Sequence, residues 1–331
     1  MRLSLLDLAV VRRGQPIAEA LAESVVLAQD ADRLGCFERL WFAEHHNMSS
    51  IASAATSVLI AHIASVTERI RVGAGGVMLP NHSPLVIAEQ FGTLAELHPD
   101  RIDLGLGRAP GTDQRTLLAL RRDARASDHF PDDIRELQGY LGDDTLIEGI
   151  NAYPGRGTKV PLYILGSSLF GAQLAAAFGL PYAFASHFAP DALEQAVGVY
   201  RERFQPSEQL DRPHVIAALN VIAADTTDQA RSLHAAVLRS RVRMLAAQAL
   251  RGRTITDEDL PMLLDSPLGA QARHMMTYTA VGDRQGVADY LTWFADHAQA
   301  DELMITNAAP GLDARRRALE IVAEVGRQGT S

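Results

Sequence analysis

Short apolar runs alternate with helix-length stretches along nearly the whole chain, and this alternation limits the possible folds more than any other feature of the sequence. The runs are Leu3 to Leu8, Arg39 to Phe42, Ile70 to Gly73, Ile102 to Gly107, Leu162 to Leu165, Tyr182 to Ala185, Val215 to Ala223 and Leu303 to Thr306. Apolar runs of about four to eight residues suit strands covered on both faces, as in parallel sheets flanked by helices. Between them, helical spacing is expected from Pro16 to a cap at Gly35, from Ile51 to Val66, and from Pro84 to a stop at Pro99. Further helices are expected at about Leu169 to Phe178, Ala192 to Phe204, Gln229 to Leu250 and Gly286 to Ala298, with a final one ending near Gly326. Eight strands alternating with helices predict an α/β fold, a (β/α)8 TIM barrel; a doubly wound sheet is the other arrangement of the same alternation. Two connections interrupt the rhythm and read as insertions, Arg108 to Lys159 after strand four and Arg251 to Thr279 between strands seven and eight. With no linker-like tract, residues 1–331 read as one domain.

Composition narrows the function classes. A hydrophobic fraction of 47% with 21% charged residues describes a folded, water-soluble chain. The net charge of -9 gives no electrostatic reason to expect nucleic acid or an anionic membrane as partner. Cys36 is the only cysteine, which excludes an intrachain disulfide and a cysteine-built zinc site. Without a signal-like N-terminus or a membrane-length apolar segment, the expected location is the cytoplasm.

Chemistry is expected where strands end, because βα loops converge there on a rigid scaffold. The second strand, Arg39-Leu40-Trp41-Phe42, runs into Ala43-Glu44-His45-His46. Adjacent residues on an extended segment point to opposite sides, which disfavours a metal held by both histidines and leaves two readings, a structural pair or a general acid/base. The glycines of Val72-Gly73-Ala74-Gly75-Gly76 allow either a tight turn or the close approach of a flat ligand, and close approach is favoured because the apolar run continues beyond them. Arg108 follows the fourth strand and suits an anion, or else a surface ion pair. Gly166-Ser167-Ser168 stands between the fifth strand and a helix, where N–H groups and hydroxyls can cradle a phosphate or a serine can simply cap the helix. In a closed barrel these two strand ends are neighbours, so Arg108 and the serine turn converge on one phosphate.

Taken together, Arg39 to His46, Val72 to Pro80, Arg101 to Arg108, Leu165 to Ser168 and Gly179-Leu180-Pro181 resemble the bacterial luciferase-like family of flavin-dependent monooxygenases, in family order over most of the chain. The resemblance implies a (β/α)8 barrel that binds FMN through Arg108, Gly166, Ser167 and Ser168, with the ring system over Ala74, Gly75 and Gly76 and a non-proline cis bond at Gly75-Gly76. It also implies a lid at Arg251 to Thr279 and a homodimer. Glycine at positions 75, 76 and 107, where luciferase has alanines and a reactive cysteine, means that light emission is not implied.

The function expected is oxidation of a small organic substrate by oxygen and reduced FMN, the flavin being supplied by a separate reductase. His45 is the catalytic acid/base in this reading, Glu44 or its neighbours orient it, and His46 is mainly structural. Asp7, Glu44, His187 and Tyr278 form the substrate wall. The alternatives are a deazaflavin-dependent hydride-transfer enzyme of the same fold and a flavin-binding protein without turnover.

Overall fold

The computed structural model describes residues 1–109, 112–123, 125–250 and 254–328. Eight strands close into a parallel barrel: β1 (Arg2–Asp7), β2 (Phe37–Phe42), β3 (Arg71–Met78), β4 (Ile102–Gly107), β5 (Leu162–Gly166), β6 (Tyr182–Phe184), β7 (Val215–Ala223) and β9 (Glu302–Asn307). Neighbours pair in chain order, and β7 to β9 to β1 completes the ring. The barrel expected from the alternation is therefore the one observed. A ninth strand, β8 (Thr279–Gly282), pairs with the last four residues of the long β7, beyond the stretch that β7 shares with β6. The second insertion expected to run to Thr279 thus ends in a strand.

Outside the barrel lie α1 (Ile17–Leu34), α2 (Thr56–Ser65), α3 (Pro84–Leu97), α4 (Gln114–Ala119), α5 (Phe130–Leu141), α6 (Leu169–Phe178), α7 (Leu193–Arg203), α8 (Thr227–Ala249), α9 (Leu260–Leu264), α10 (Pro267–Met275), α11 (Arg284–His297) and α12 (Leu312–Gln328). Gly35 ends α1 at φ 68°, a left-handed position that favours glycine. Two expectations need correction. Residues 51–55 are a loop and not the start of α2, because Ser53 Oγ lies 3.1 Å from the Leu8 carbonyl and 2.5 Å from that of Ala43, fastening the ends of β1 and β2. The glycines after Val72 lie inside β3, which runs on to Met78. The stretch from Arg251 to Thr279 holds α9 and α10, packed on α8 through Val242, Ala246, Ile255, Leu263 and Ala272; Arg251, Gly252 and Arg253 lie outside the described residues.

Strand alternation divides the core in two. Leu5, Leu40, Phe42, Val72, Ala74 and Leu104 point outward to the helices, whereas Leu6, Trp41, Ala43, Tyr163, Ala183, Ile216, Ala218 and Met304 fill the lumen. Toward the N-terminal end of the lumen a buried charge network replaces hydrocarbon. Arg39 donates to Asp103 (2.7 Å), Glu302 (2.8 Å) and the Tyr163 hydroxyl (2.7 Å). Arg71 and Trp41 Nε1 also donate to Asp103, and Ser4 donates to Glu302. Burial pushes the Glu302 carboxyl up, but His214, Arg39 and Ser4 outweigh it and bring it down to about 2. Burial, reinforced by the Asp103 carboxylate, raises Tyr163 to about 12. The network forms a polar floor at the N-terminal end of the lumen.

Candidate active site

Beyond Phe42 the strand ends and the chain bends at His46 and Asn47, which brings His46 back onto Glu44. Glu44 Oε1 lies 2.7 Å from His46 Nε2 and 2.8 Å from His82 Nε2, and Oε2 accepts from the Met78 N–H. Burial pushes the Glu44 carboxyl up, yet the His82 and His46 contacts and the Met78 N–H hold it below the usual range. Glu44 is therefore committed to His46 and His82 and does not hydrogen-bond the His45 ring, which leaves the orienting role expected of Glu44 or its neighbours to the neighbours. His82, which the sequence reading missed, completes a compact set of one carboxylate and two imidazoles.

His45 is positioned through its backbone, its N–H donating to the Ser53 carbonyl (3.1 Å). Its Nδ1 is out of solvent and has no hydrogen-bond partner. Burial holds its pKa below the ordinary histidine value, against the Glu44 carboxylate and with help from His46. His187, just past β6, is more extreme: burial, the Arg241 guanidinium and His45 bring it down to about 3. Its Nδ1 also has no partner, and its carbonyl accepts from Asn220 Nδ2 of β7 (2.7 Å). Asn220 Oδ1, Thr306 Oγ1 and Arg241 Nη1 are likewise buried without partners. Buried polar groups are nearly always satisfied, so these atoms are the ones on which a bound molecule or water would act; Arg201, Asn307 and Arg315 carry such atoms as well. Arg241 on α8 gave no local signal in sequence, since one arginine on a helix with several exposed ones looks like its neighbours.

The glycines of β3 are explained by protein packing. A Cβ on Gly75 would stand 2.8 Å from Trp41 Cβ and 3.0 Å from Leu6 Cδ1, and one on Gly76 would stand 2.8 Å from the Gly105 carbonyl oxygen. The Gly75–Gly76 peptide is cis, as the resemblance implied, and the Gly76 carbonyl accepts from the Glu44 N–H (3.3 Å). Ala74 turns its methyl into the outer core, leaving only its backbone toward the barrel.

Gly107 pairs with Leu165, so Arg108 and Gly166 extend from adjacent strands. The Arg108 guanidinium is exposed and stacks 4.2 Å from the Phe170 ring centroid. Among the described residues it has no ion pair, so the surface-pair reading finds no acidic partner. Ser167 and Ser168 are exposed, and although Ser168 is the N-cap of α6 its hydroxyl makes no capping hydrogen bond. The simple cap reading is thus not what the structure shows: the first turn of α6 keeps its N–H groups free of side-chain caps beside a cation and two hydroxyls.

Two residues expected in the substrate wall are elsewhere. The Asp7 carboxylate meets Ser24 of α1 (2.6 Å), Arg315 of α12 (2.9 Å) and the Ala9 N–H, because its position on β1 faces the helix layer. The Tyr278 hydroxyl meets His297 Nε2 of α11 (3.0 Å) and its ring packs on Phe294, again in the outer layer. A groove of about 510 Å3 between α8 and α12, lined by Ala223, Asp228 and Arg317 among others, contains none of the strand-end residues described above.

Comparisons with known proteins agree with this arrangement. The sequence pattern of the luciferase-like monooxygenase family matches residues 1–297. A luciferase-like monooxygenase of Escherichia coli is 45% identical over 329 residues, 97% of this chain and 96% of that protein. The N-acetyl-S-alkylcysteine monooxygenase of Bacillus subtilis is 34% identical over 70% of each. The crystal structure of apo-MsnO8 superposes with a TM-score of 0.87 at 35% identity, covering 98% of this chain and 97% of that one. Two structures share the fold alone. The oxygenating constituent of 3,6-diketocamphane monooxygenase from Pseudomonas putida, in complex with FMN, has a TM-score of 0.72 at 16% identity over 99% of each chain. An F420-dependent secondary alcohol dehydrogenase has a TM-score of 0.70 at 14% identity over 98% of each. With a closed parallel barrel, buried orphan groups at its strand ends and a family match over nine-tenths of its length, the chain belongs to the luciferase-like monooxygenase family.

Proposed function

We propose that this protein is an FMN-dependent monooxygenase that receives reduced flavin from a separate reductase and uses oxygen to oxidise a small organic substrate. The observation that carries the reading is the meeting of Arg108 with the uncapped start of α6 on adjacent strand ends. This cradle fits a phosphate monoester: guanidinium, two free hydroxyls and helix N–H groups are the donors such a group requires. Arg108, Gly166, Ser167 and Ser168 would hold the phosphate, and the backbone of Gly75 and Gly76 would face the flat ring. Bound FMN supplies the redox chemistry that activates oxygen.

The chain's own contribution is proton control. His45 is neutral at physiological pH because burial disfavours its charged form, so its free Nδ1 accepts or returns a proton at the substrate. His46 is held with His82 on Glu44 and serves to fix the loop. His187 belongs to the substrate wall. Tyr163, Trp41 and Met304 close the lumen beneath and keep water from entering from below. A homodimer is part of the proposal and is read by light scattering.

Visible absorption titrations with oxidised and reduced FMN test the cofactor, and oxygen uptake with supplied reduced FMN tests the reaction. Saturable FMN binding with substrate-dependent oxygen use is expected. Binding of a deazaflavin in preference to FMN, with hydride transfer and no oxygen use, would replace the monooxygenase by the alternative. Flavin binding with no substrate-dependent oxygen use would leave a binding protein.

A further inference from the structure

The long helix α8 carries a second cationic group that the phosphate cradle does not use. Arg241 extends from α8, and its Nη1 is shielded from solvent without any hydrogen-bond acceptor. The two arginines buried among the described residues both meet an acid: Arg39 has Asp103 and Glu302, and Arg315 has Asp7. Among the described residues no carboxylate pairs with Arg241. Arg241 is half-buried, and a guanidinium partly out of water with no acid beside it is disfavoured, which suits an anion that arrives from outside.

The surroundings say what kind. The charge of Arg241 lowers the His187 pKa, so Arg241 lies within electrostatic reach of that ring, and Asn220 of β7 donates to the His187 carbonyl at 2.7 Å. His187 is buried, with 8% exposure, and its Nδ1 also lacks a partner. His187 follows β6, Asn220 lies in β7 and Arg241 on the helix after it, whereas Arg108 and the serine turn follow β4 and β5. The lumen below the strand ends is largely hydrocarbon, with Leu8 and Leu165 packed against the cluster that holds Ala43, Ala183 and Ala218.

We infer that the substrate is an apolar organic acid whose carboxylate is bound by Arg241 and His187, with its hydrocarbon part over Leu8, Ala43 and Leu165. The inference rests on the reading of the barrel mouth as the substrate pocket. A guanidinium takes a carboxylate through parallel N–H donors, and the neutral His187 ring adds one more donor as its Nδ1–H tautomer. The carboxylate then fixes the substrate's orientation toward His45 and gives the Arg241 and His187 atoms a partner. Arg241 is accordingly a specificity-determining residue.

The test uses propionate, benzoate and 3-phenylpropionate, each paired with its neutral amide, at constant ionic strength. Affinity is read from ligand-dependent melting temperature on flavin-free and FMN-supplied protein. The acids should bind at least tenfold more tightly than their amides. Arg241→Met should abolish that preference, and Arg241→Lys should keep part of it. Circular dichroism confirms that both variants are folded. Absence of binding by every acid, equal binding of acid and amide, or a preference that survives Arg241→Met overturns the inference. FMN affinity is measured on the same samples by flavin absorbance. Failure to bind FMN defeats the cofactor proposal while acid preference remains readable in flavin-free protein, and loss of FMN binding in Arg241→Met with unchanged acid preference assigns Arg241 to the flavin.

Discussion

Replacing Arg108 by methionine keeps hydrocarbon over the Phe170 ring and removes only the cation, which makes it the cleanest probe of the phosphate cradle. A charge-assisted hydrogen bond contributes about 1.5 to 3 kcal/mol. Arg108 is exposed, so solvent and salt weaken its pull and the lower end applies, about 1.5 kcal/mol or roughly tenfold in FMN affinity. Ser167 and Ser168 make no competing cap, so their hydroxyls are available. Changing both to alanine should cost about 1 to 2 kcal/mol, a further five- to thirtyfold. Riboflavin carries the same ring without the phosphate, and its affinity should be nearly unchanged in every variant. The assay is flavin fluorescence quenching with FMN and riboflavin in parallel at two salt concentrations. The FMN preference of the unmodified protein should narrow at high salt, because an exposed cation is screened. Equal losses for FMN and riboflavin would show that Arg108 and the serines shape the ring pocket and hold no phosphate, and the cofactor argument would fail.

His45→Ala should lower product formation by about 10² to 10⁴-fold, the usual contribution of a general acid/base, while FMN binding stays within a few-fold. More hydrogen peroxide should appear per oxygen consumed; His46→Ala, which loosens the Glu44 cluster, should instead lower the melting temperature, and the opposite pattern would reverse the two assignments. His187 titrates at about 3 when folded and near 6.5 when unfolded, so below pH 6.5 the unfolded chain binds the extra proton. Stability should therefore be full above pH 6.5 and fall toward pH 3 by up to about 1.4 kcal/mol per unit from this group. His187→Gln should flatten that limb in urea titrations, and an unchanged slope would place the imidazole in water. Arg39→Met leaves Glu302 and Asp103 short of a cation in a buried site and should cost about 3 to 5 kcal/mol in chemical denaturation; a loss below about 1 kcal/mol would mean that Arg71 and His214 suffice.

Local pattern determined much of this protein from sequence alone. The run from Val215 to Ala223 is β7, and the stretch from Leu169 to Phe178 is α6, because period and capping residues act over neighbours a few positions apart. The adjacency of Arg108 to the serine turn also followed from sequence, since strand order in a closed barrel repeats chain order. Tertiary structure alone decided what depends on distant partners. The glycines after Val72 looked like an end of strand but are interior to β3, where Trp41 and the Gly105 backbone leave no room for a Cβ. Strand parity and the position of α12 turned Asp7 toward Arg315, 308 residues away, and α11 took the Tyr278 hydroxyl out of the proposed wall. β8 is only four residues long and exists because β7 projects beyond β6 to receive it. The same dependence hid His82 and Arg241: a polar side chain announces a role only when burial and the absence or presence of partners are known, and those are properties of the folded chain.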